Sequence, residues 1–471
     1  MKNKKERLIL GLIILIGAFL RFFNLGKESL WLDEAYSVKL ANVNFFQIWD
    51  KVRTSDVHPP FYYMLLNLWI KTFGDSEFAV RSLSVVFGIL SIFMIYKLTQ
   101  LLFNKNTGLV AALILALSPF HIQYSQEARM YNLLVFLIIL SMYFFVKLLN
   151  NPNGKILIGY LLTGTLLMYT HYYSVFIFIA QNIYLFIYAI FFKKDKNLIK
   201  IWLILQIVLF FSFFLWILVF IKQIHSSAAS WIPPPTINLL GQTFLSYSGS
   251  EYLLIMFLIL LLINNHFKKS IQNGSFLLIW LWIPIILPYV ISIFFMPIYT
   301  IKVTIVAMPS FYILVAKKIN DINRNFIKWS FIGAMIIFSL IILWQKNMHI
   351  YKEQWREVAH YIDAQAIKGD VLLFNEPYLQ IPFDYYSKRN DIKRIPLNFN
   401  TSLELTEKEK NDLKGITEKY QRFWFIQSHI TNAKIVQKNL NSSFKKVFCQ
   451  QYKNIKVCLF IKRLKPLNAH Y

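Results

Sequence analysis

The sequence predicts an α-helical polytopic membrane protein with a C-terminal extracytoplasmic α/β domain. Of its 471 residues, 56% are hydrophobic and 16% are charged, whereas about a quarter of the residues of a soluble domain are charged. Apolar runs of roughly 15 to 25 residues recur along the chain, as expected for membrane-spanning helices. Runs such as "LILGLIILIGAFL" do not alternate with polar residues, so the sequence argues against a membrane β-barrel.

Eleven apolar segments are predicted to be the membrane helices. They are residues 8–23, 81–103, 107–120, 128–149, 155–170, 173–192, 198–221, 252–266, 275–296, 300–318 and 326–345. Several are shorter than the roughly 20 residues that a full span needs, so their boundaries are soft. The short apolar stretch 60–70 is predicted to be an interfacial helix between the first and second spans.

The basic residues are concentrated in alternate loops. One set of loops contains Lys2, Lys4, Lys5, Arg7, Lys105, Lys147, Lys155, Lys193, Lys194, Lys196, Lys200, Lys268, Lys269, Lys317, Lys318, Arg324 and Lys328. The short loops on the other side contain Arg129, Lys222 and Lys302. Basic residues collect in cytoplasmic loops, so this pattern predicts a cytoplasmic N-terminus and a location in the cell membrane. It also explains the net charge of +26 without a nucleic-acid partner.

Two larger segments, residues 24–80 and 346–471, are predicted to face outward. The second forms an outer domain that follows a membrane domain of residues 1–345. In it, "QWREVAHYIDAQAIKGDVLLFNE" predicts an amphipathic helix, a glycine stop and a buried strand. "RFWFIQS" predicts a second strand, and "VFCQQYKNIKVCLFIK" predicts a terminal hairpin. At the other end of the chain, no small-residue cleavage site follows the first apolar core, which indicates an uncleaved anchor.

Both cysteines lie on the predicted hairpin. With Lys453 and Asn454 at its tip, Cys449 faces Cys458 directly across the strands. The pair forms either a disulfide, which persists outside the cytoplasm, or two buried free thiols that pack as small apolar groups. Lys-Asn is not the preferred tip of a two-residue hairpin, so the register is open. No Cys or His spacing indicates zinc; we predict no metal and no cofactor, and leave a divalent-cation requirement open.

Asp33 and Glu34 in "LWLDEAYS" are the first candidates for chemistry. They follow the first apolar segment and Trp31, a residue type suited to the membrane interface. The same outward segment contains "DVHPPFYY", in which His58 precedes two prolines that restrict the chain. A solvated loop is the alternative interpretation of the acid pair.

A second polar cluster, "SPFHIQYSQEARMY", lies at the outer end of a predicted span. Polar groups at the hydrocarbon boundary are costly unless they pair or line a wet cavity. Either Glu127 and Arg129 pair in an ordinary loop, or Arg129 presents its planar fork to an anion such as phosphate. His171 in "YTHYYS" is a packed side chain or a ligand, and Lys302 is the basic residue of its own outer loop.

These outward groups combine carboxylates with cations on one side of the membrane. Such a set suits the transfer of a group from a phosphorylated lipid. A carboxylate deprotonates the acceptor, and the cations stabilise the charge that develops on the departing phosphate. The sequence contains no glycine-rich phosphate loop that would indicate a nucleotide donor.

Four stretches carry a resemblance to a known family. In chain order, "RFFNLGKESLWLDEAYS", "HPPFYYMLLNLW", "SEFAVRSLSVVFGIL" and "SPFHIQYSQEARMYNLL" resemble the GT-C glycosyltransferases of the protein O-mannosyltransferase and aminoarabinose transferase group. The tail "YKEQWREVAHYIDAQAIKGDVLLF" is similar to the outer domain of bacterial and archaeal relatives. The resemblance implies an enzyme that moves a sugar from a polyprenyl-phosphate donor to an extracytoplasmic protein, lipid or cell-surface glycan.

The resemblance also implies roles for individual residues. Asp33 matches the Asp of the family's acid pair and is the implied general base, while Glu34 orients Asp33 or the acceptor. His58 belongs to the "HPP" element that shapes the loop. Arg129, close to Glu127 at the outer end of the fourth helix, is the implied phosphate contact.

The chain departs from the family at Lys302. Relatives often carry Arg-Tyr where this chain has Lys302 and Val303. A lysine supplies a point charge but not a guanidinium fork, so the resemblance implies a weaker phosphate contact at this position.

Two other classes of protein are the alternatives. A flippase or transporter of lipid-linked sugars would also show outward polar groups, but it should favour internal repeats and broken helices near the midplane. Neither is recognised in the sequence. A non-catalytic relative that serves as an assembly partner is the other alternative, and the intact acid pair argues against it.

Overall fold

The structure is a computed structural model that describes residues 2–192, 195–224, 232–263, 271–348, 350–397, 405–428 and 433–463. Four of the basic loop residues and the end of the predicted segment 252–266 lie outside the described residues; the four are Lys193, Lys194, Lys268 and Lys269. The chain forms two compact units. The first comprises Met1–Leu25 and Leu40–Met348, and the second comprises Gly26–Lys39 and His349–Tyr471.

The first unit is helical, and its helices follow the apolar segments of the sequence. Through residue 348 the helices are α1 Lys2–Phe22, α2 Leu32–Ala41, α3 Gln47–Ser55, α4 Phe61–Phe73, α5 Glu77–Leu102, α6 Lys105–Leu117, α7 Pro119–Ser125, α8 Tyr131–Asn150, α9 Gly154–Met168, α10 Ser174–Phe191, α11 Lys196–Ile224, α12 Ile237–Ser248, α13 Glu251–Ile263, α14 Ile271–Phe294, α15 Met308–Asn320 and α16 Asn325–Met348. A 3-10 helix, Ile301–Val306, precedes α15. Most of α2 belongs to the second unit.

The protein is a multi-pass membrane protein. Among the described residues, six helices can cross a membrane by length and composition: α5, α8, α10, α11, α14 and most of α16. The number rises to at most eight if two bent pairs each count as one span, namely α6 with α7, bent by 60°, and α12 with most of α13, bent by 94°.

The predicted count of eleven spans is not confirmed. Each of the eleven predicted segments overlaps a helix, and α4 covers all of the predicted stretch 60–70 except its first residue. However, α6, α13 and α15 have 13 residues and α9 has 15. Such helices are only about 20 Å long, whereas the hydrocarbon core is about 30 Å thick.

The break between α6 and α7 has a local cause. Ser118 is extended, and its hydroxyl accepts a hydrogen bond from the His121 N–H at 3.1 Å, which caps α7. Pro119 occupies the first position of α7, where its missing N–H costs nothing and its fixed φ suits a helix start. The predicted segment 107–120 is therefore the end of one helix and the beginning of another.

Helix α5 packs closely against the junction of α7 and α8. Gly88 of α5 lies so near these helices that a Cβ at this position would be 2.6 Å from Ser125 Oγ and 2.8 Å from Asn132 Nδ2. These distances leave no space for a larger residue. The turn between α7 and α8, which contains Glu127 and Arg129, is thus held against α5.

The second unit is an α/β domain. Its elements after residue 348 are α17 Trp355–Gln365, β1 Val371–Phe374, α18 Gln380–Tyr386, β2 Lys393–Pro396, α19 Glu407–Lys419, β3 Arg422–Ser428, α20 Ala433–Ser443, β4 Phe444–Tyr452 and β5 Ile455–Lys462, with a 3-10 turn at Pro377–Leu379. The strand order is β2-β1-β3-β5-β4. Strand β1 is parallel to β2 and β3, and β5 is antiparallel to β3 and β4. The predicted helix and buried strand, second strand and terminal hairpin are confirmed.

Helices cover both faces of this sheet. One face packs against α19 and α20 through a buried apolar core that includes Val371, Leu373, Leu413, Phe423, Phe425, Val436, Leu440 and Phe460. On the other face, Tyr361 of α17 contacts Trp424 with ring centroids 6.0 Å apart. All four residues of β1 are buried, as expected for a strand covered on both faces.

The hairpin has the predicted register. Tyr452 pairs with Ile455, and Cys449 pairs with Cys458 at a Cα–Cα distance of 4.1 Å. Asn454 has a φ of 60°, a left-handed conformation that Asn tolerates better than most residues, and this explains how Lys-Asn forms the tip. Of the two alternatives for the cysteines, the structure has the disulfide.

Candidate active site

A buried carboxylate lies between α3 and α4. Asp56 Oδ1 accepts a hydrogen bond from the Val57 N–H at 2.7 Å and lies 3.1 Å from His58 Nδ1. Burial disfavours the charged form of Asp56, but His58 and Arg129 outweigh this effect and lower its pKa below the usual value. Asp56 is therefore ionised at neutral pH and orients the imidazole of His58.

A second histidine lies beside the first. His171 is in the turn between α9 and α10, and its ring centroid is 5.2 Å from that of His58. Its Nδ1 accepts a hydrogen bond from the Tyr173 N–H at 3.1 Å, so the neutral ring carries its proton on Nε2. Burial lowers the pKa of His171 well below its usual value, and the nearby charges of Arg129 and Lys302 act in the same direction. Nε2 is buried and has no hydrogen-bond partner among the described residues.

Arg129 enters this region from the turn between α7 and α8. The Arg129 carbonyl accepts a hydrogen bond from Ser84 Oγ of α5 at 3.0 Å. The Arg129 N–H donates to the Glu127 carbonyl at 2.8 Å. Both Glu127 and Arg129 are buried. The charge of Arg129 acts on Asp56 and on His171, which places its guanidinium in the same neighbourhood.

Lys302 completes the group. It is the second residue of the 3-10 helix Ile301–Val306 and is partly exposed. Its charge also acts on His171. We use the name Asp56 cluster for Asp56, His58, Arg129, His171 and Lys302. All five belong to the first unit.

The Asp56 cluster joins four of the predicted substrate-binding residues around a carboxylate that the sequence analysis missed. The available signal was the position of Asp56 in "DVHPP", two residues before His58. Glu127, the fifth predicted binding residue, lies in the same turn as Arg129, and its carbonyl accepts a hydrogen bond from the Arg129 N–H. Two cationic side chains, and an imidazole N–H that has no hydrogen-bond partner among the described residues, suit the binding of an anion such as a phosphate.

The acid pair is part of the second unit. Asp33 and Glu34 lie in the first turn of α2, where carboxylates interact favourably with the helix dipole. Asp33 is partly exposed, and its carbonyl accepts a hydrogen bond from Ser37 Oγ at 2.8 Å. Glu34 is fully buried, and its Oε2 forms a 3.0 Å ion pair with Lys352 Nζ. The two acids therefore differ in environment, although they are adjacent in sequence.

Metal ligands do not gather in the part of the chain that the structure describes. No group of three or more His, Cys, Asp or Glu side chains there could hold a metal ion.

The fold matches solved structures over nearly the whole chain. The structure of ArnT from Cupriavidus metallidurans in the apo state has a TM-score of 0.62 at 11% identity, covering 95% of this chain and 97% of that one. The oligosaccharyltransferase AglB from Archaeoglobus fulgidus, in complex with an inhibitory peptide and a dolichol-phosphate, has a TM-score of 0.57 at 12% identity, covering 90% and 69%. The protein therefore has the GT-C glycosyltransferase fold.

Part of the chain also matches known proteins in sequence. Residues 57–220 match the family described as dolichyl-phosphate-mannose-protein mannosyltransferase. A putative mannosyltransferase of Bacillus subtilis, YycA, is 28% identical over 158 residues, which are 30% of this chain and 22% of that protein. The match thus spans about a fifth of the length of this curated relative. The matched family region contains His58, Arg129 and His171.

Proposed function

We propose that this protein is a membrane glycosyltransferase that moves a sugar from a polyprenyl-phosphate carrier to an extracytoplasmic acceptor. The observation that carries the proposal is the Asp56 cluster, with its permanent cations Arg129 and Lys302 and the buried N–H of His171. Such a set suits the phosphate of a lipid-linked donor. The fold adds support, because ArnT was solved bound to undecaprenyl phosphate and AglB with a dolichol-phosphate.

In the proposed reaction, an acceptor hydroxyl or amine attacks the anomeric carbon of the donor sugar. The new bond forms while the bond from that carbon to the phosphate oxygen breaks, and the bonding electrons leave with the phosphate. Asp33 takes the proton from the acceptor. Arg129, Lys302 and His171 stabilise the charge that develops on the phosphate, and polyprenyl phosphate is the second product.

Three residues have supporting roles in this proposal. Glu34 orients the acid pair or the acceptor. His58 is fixed by Asp56 and shapes the donor site. Glu127 is held in the turn that presents Arg129. The acceptor is a protein, a lipid or a cell-surface glycan.

The proposed orientation places the N-terminus in the cytoplasm and the second unit outside it. The distribution of Lys and Arg over the loops supports this orientation through the positive-inside rule. The disulfide between Cys449 and Cys458 supports it independently, because such bonds persist outside the cytoplasm. The proposed location is the cell membrane.

The proposal is tested with purified protein in liposomes. The liposomes contain a panel of polyprenyl-phosphate sugars, and acceptor peptides, lipids and glycans are supplied in the medium. Mass spectrometry is used to detect free polyprenyl phosphate and glycosylated acceptor. The proposal expects both products from the parent protein and neither from protein-free liposomes.

Two results would contradict the proposal. Movement of the lipid-linked sugar between leaflets with its phosphate bond intact would identify a transporter. Failure to cleave any donor of the panel, by protein whose folding is verified by its melting transition, would favour a non-catalytic relative.

A further inference from the structure

The segment that carries the acid pair is fastened to the rest of the second unit by polar contacts along its first residues. Ser29 Oγ donates a hydrogen bond to Glu357 Oε2 at 2.9 Å. The Leu30 N–H donates to the Tyr386 hydroxyl at 2.6 Å. Arg356 Nη2 donates to the Lys27 carbonyl at 2.7 Å. These contacts hold residues 27–30, which precede α2.

The ion pair between Glu34 and Lys352 reaches further, into α2 itself. Glu34 is the third residue of α2, and it is fully buried. Lys352 lies just before α17, and its side chain is 16% exposed. The two residues are 318 positions apart in the chain, so the pair joins the first turn of α2 to the segment that begins the α/β domain.

The role of this ion pair is better explained by its effect on the orientation of α2 than by a contribution to folding stability. Removing two charges from water costs several kcal/mol, and buried ion pairs are often no more stabilising than well-packed apolar residues. The contacts at residues 27–30 already fasten the segment. A buried pair does fix one orientation, because both partners lose a favourable position if α2 rotates or tilts.

The orientation of Glu34 is coupled to that of its neighbour Asp33. Both residues are in the same helical turn, in which the Glu34 and Ala35 N–H groups donate to the Trp31 carbonyl at 3.0 Å. The Ser37 hydroxyl donates to the Asp33 carbonyl. A rotation of this turn that follows loss of the ion pair would therefore also move the Asp33 carboxylate.

We propose that Lys352 is a positioning residue for sugar transfer, which acts through Glu34 to fix the first turn of α2 and thereby Asp33. This inference rests on the proposed function and assigns to the C-terminal domain a part in it. The C-terminal domain supplies Lys352, and this cation fixes the orientation of the Asp33 carboxylate, which is the proposed general base. Lys352 itself needs no contact with donor or acceptor for this role.

The test measures kcat and the donor KM for Lys352→Met, Lys352→Arg, Glu34→Gln and the double variant Glu34→Gln/Lys352→Met. We expect Lys352→Met to lower kcat by roughly a hundredfold, the cost of misplacing a reacting group by about 1 Å, while the donor KM stays near the parental value. Lys352→Arg should retain most of the parental kcat because it restores the cation. The double variant should be no slower than the slower single variant, since the two residues act as one unit.

Arg422→Met is the matched control. Arg422 forms a comparable pair with buried Asp370, at 3.3 Å, within the same unit, and Asp370 keeps hydrogen bonds from Trp424 and Ile367. This variant should keep the parental kcat. If it loses kcat as Lys352→Met does, the loss reflects the stability of the domain, and the inference is overturned.

Asp33→Asn separates the role of the proposed base from the role of the residue that positions it. If Asp33→Asn is inactive while Lys352→Met turns over at the parental rate, the positioning inference is wrong and the proposed function stands. If Asp33→Asn itself transfers sugar at the parental rate, Asp33 is not the general base and the positioning inference falls with that role. The proposed function falls only if the parent protein transfers no sugar. If Lys352→Met does not fold, the double variant Glu34→Gln/Lys352→Met is measured instead, because it removes both charges of the ion pair. A parental kcat of the double variant would overturn the inference.

Discussion

At the scale of single residues, the binding of a phosphate depends on the shape of the cation as well as its charge. Arg129 presents a planar fork that can donate two parallel hydrogen bonds, whereas a lysine is a compact point charge. The charge of Arg129 already acts on Asp56 and His171. Replacing the guanidinium by an ammonium therefore keeps the electrostatics of the cluster and removes the fork.

We expect Arg129→Lys to raise the donor KM about tenfold or more, because a hydrogen bond to a charged group contributes about 1.5–3 kcal/mol. Arg129→Gln should raise it further. Steady-state transfer at varied donor concentration measures both effects, with Arg53→Lys, an exposed arginine in an ion pair of α3, as the control. If Arg129→Lys binds donor as the parent does, and Glu127→Gln is as damaging as Arg129→Gln, then Arg129 serves only as the partner of Glu127.

The same residues show what a sequence can and cannot reveal. Arg129 and His58 could be selected from their residue types and their resemblance to a family. Asp56 could not be selected in this way, because a single carboxylate in a loop has no distinctive pattern, although it lies two residues before His58. The partner of Glu34 could not be found from sequence, since Lys352 is 318 positions away and neither residue belongs to a periodic motif.

At the scale of elements, a buried arginine of α1 caps the end of α6. Arg21 Nη1 donates to the Ala116 carbonyl and Nη2 to the Leu115 carbonyl, both at 3.0 Å. Nη2 also lies 2.8 Å from His121 Nδ1. The last carbonyls of α6 lack partners within the helix, so Arg21 satisfies them and places a positive charge at the helix C-terminus.

We expect Arg21→Met to lower the stability of the protein in detergent. The variant removes the guanidinium donors from both carbonyls. The Leu115 carbonyl keeps a 3.4 Å hydrogen bond from the Ser118 N–H, so the main cost arises at Ala116, where a buried unsatisfied group costs about 1–3 kcal/mol. Thermal unfolding followed by tryptophan fluorescence measures the change. Arg7→Met, at an exposed position of the same helix, is the control. Equal melting temperatures for both variants would show that Arg21 has no capping role.

The terminal hairpin was predictable because its register follows from the position of a two-residue tip. The tip residue Asn454 adopts the left-handed conformation, so the pairing of β4 with β5 continues to Cys449 and Cys458. The break in segment 107–120 was also signalled, by Pro119. By contrast, α12 was missed because "INLLGQTFLSYS" mixes polar and apolar residues and has no long apolar run.

We expect denatured protein that is prepared without reductant to contain no titratable thiol, and two after reduction. A Cys449→Ser/Cys458→Ser variant should remain folded, because the bond closes a short loop and stabilises the hairpin locally. Thiol titration with a chromogenic disulfide checks the first expectation, and thermal unfolding checks the second. Two titratable thiols before reduction would show that the cysteines pack as free side chains.

At the scale of the whole molecule, neither compact unit is a single continuous stretch of the sequence. Residues 26–39 group with the C-terminal α/β domain, although more than 300 residues separate them. Composition predicts a membrane region and a tail, because apolar content changes sharply near residue 346. It could not assign the acid segment, whose place is set by contacts such as those of Ser29 and Glu34 with the tail.

The two acids are expected to contribute differently to sugar transfer. Asp33 is partly exposed and Glu34 is fully buried in an ion pair. A base must reach its substrate, which favours Asp33, while a buried and paired carboxylate suits an orienting role. Glu34→Gln should therefore reduce transfer less than Asp33→Asn does.

The rate of a single turnover by Asp33→Asn tests the central claim most directly. The change is nearly isosteric and removes the basic oxygen, so transfer from a bound polyprenyl-phosphate sugar should slow by roughly a hundredfold to ten-thousandfold. Donor binding and the melting temperature should stay near the parental values. Asp75→Asn, at an exposed position between α4 and α5, should transfer at the parental rate. If Asp33→Asn also transfers sugar at that rate, Asp33 is not the general base and the proposed mechanism is contradicted.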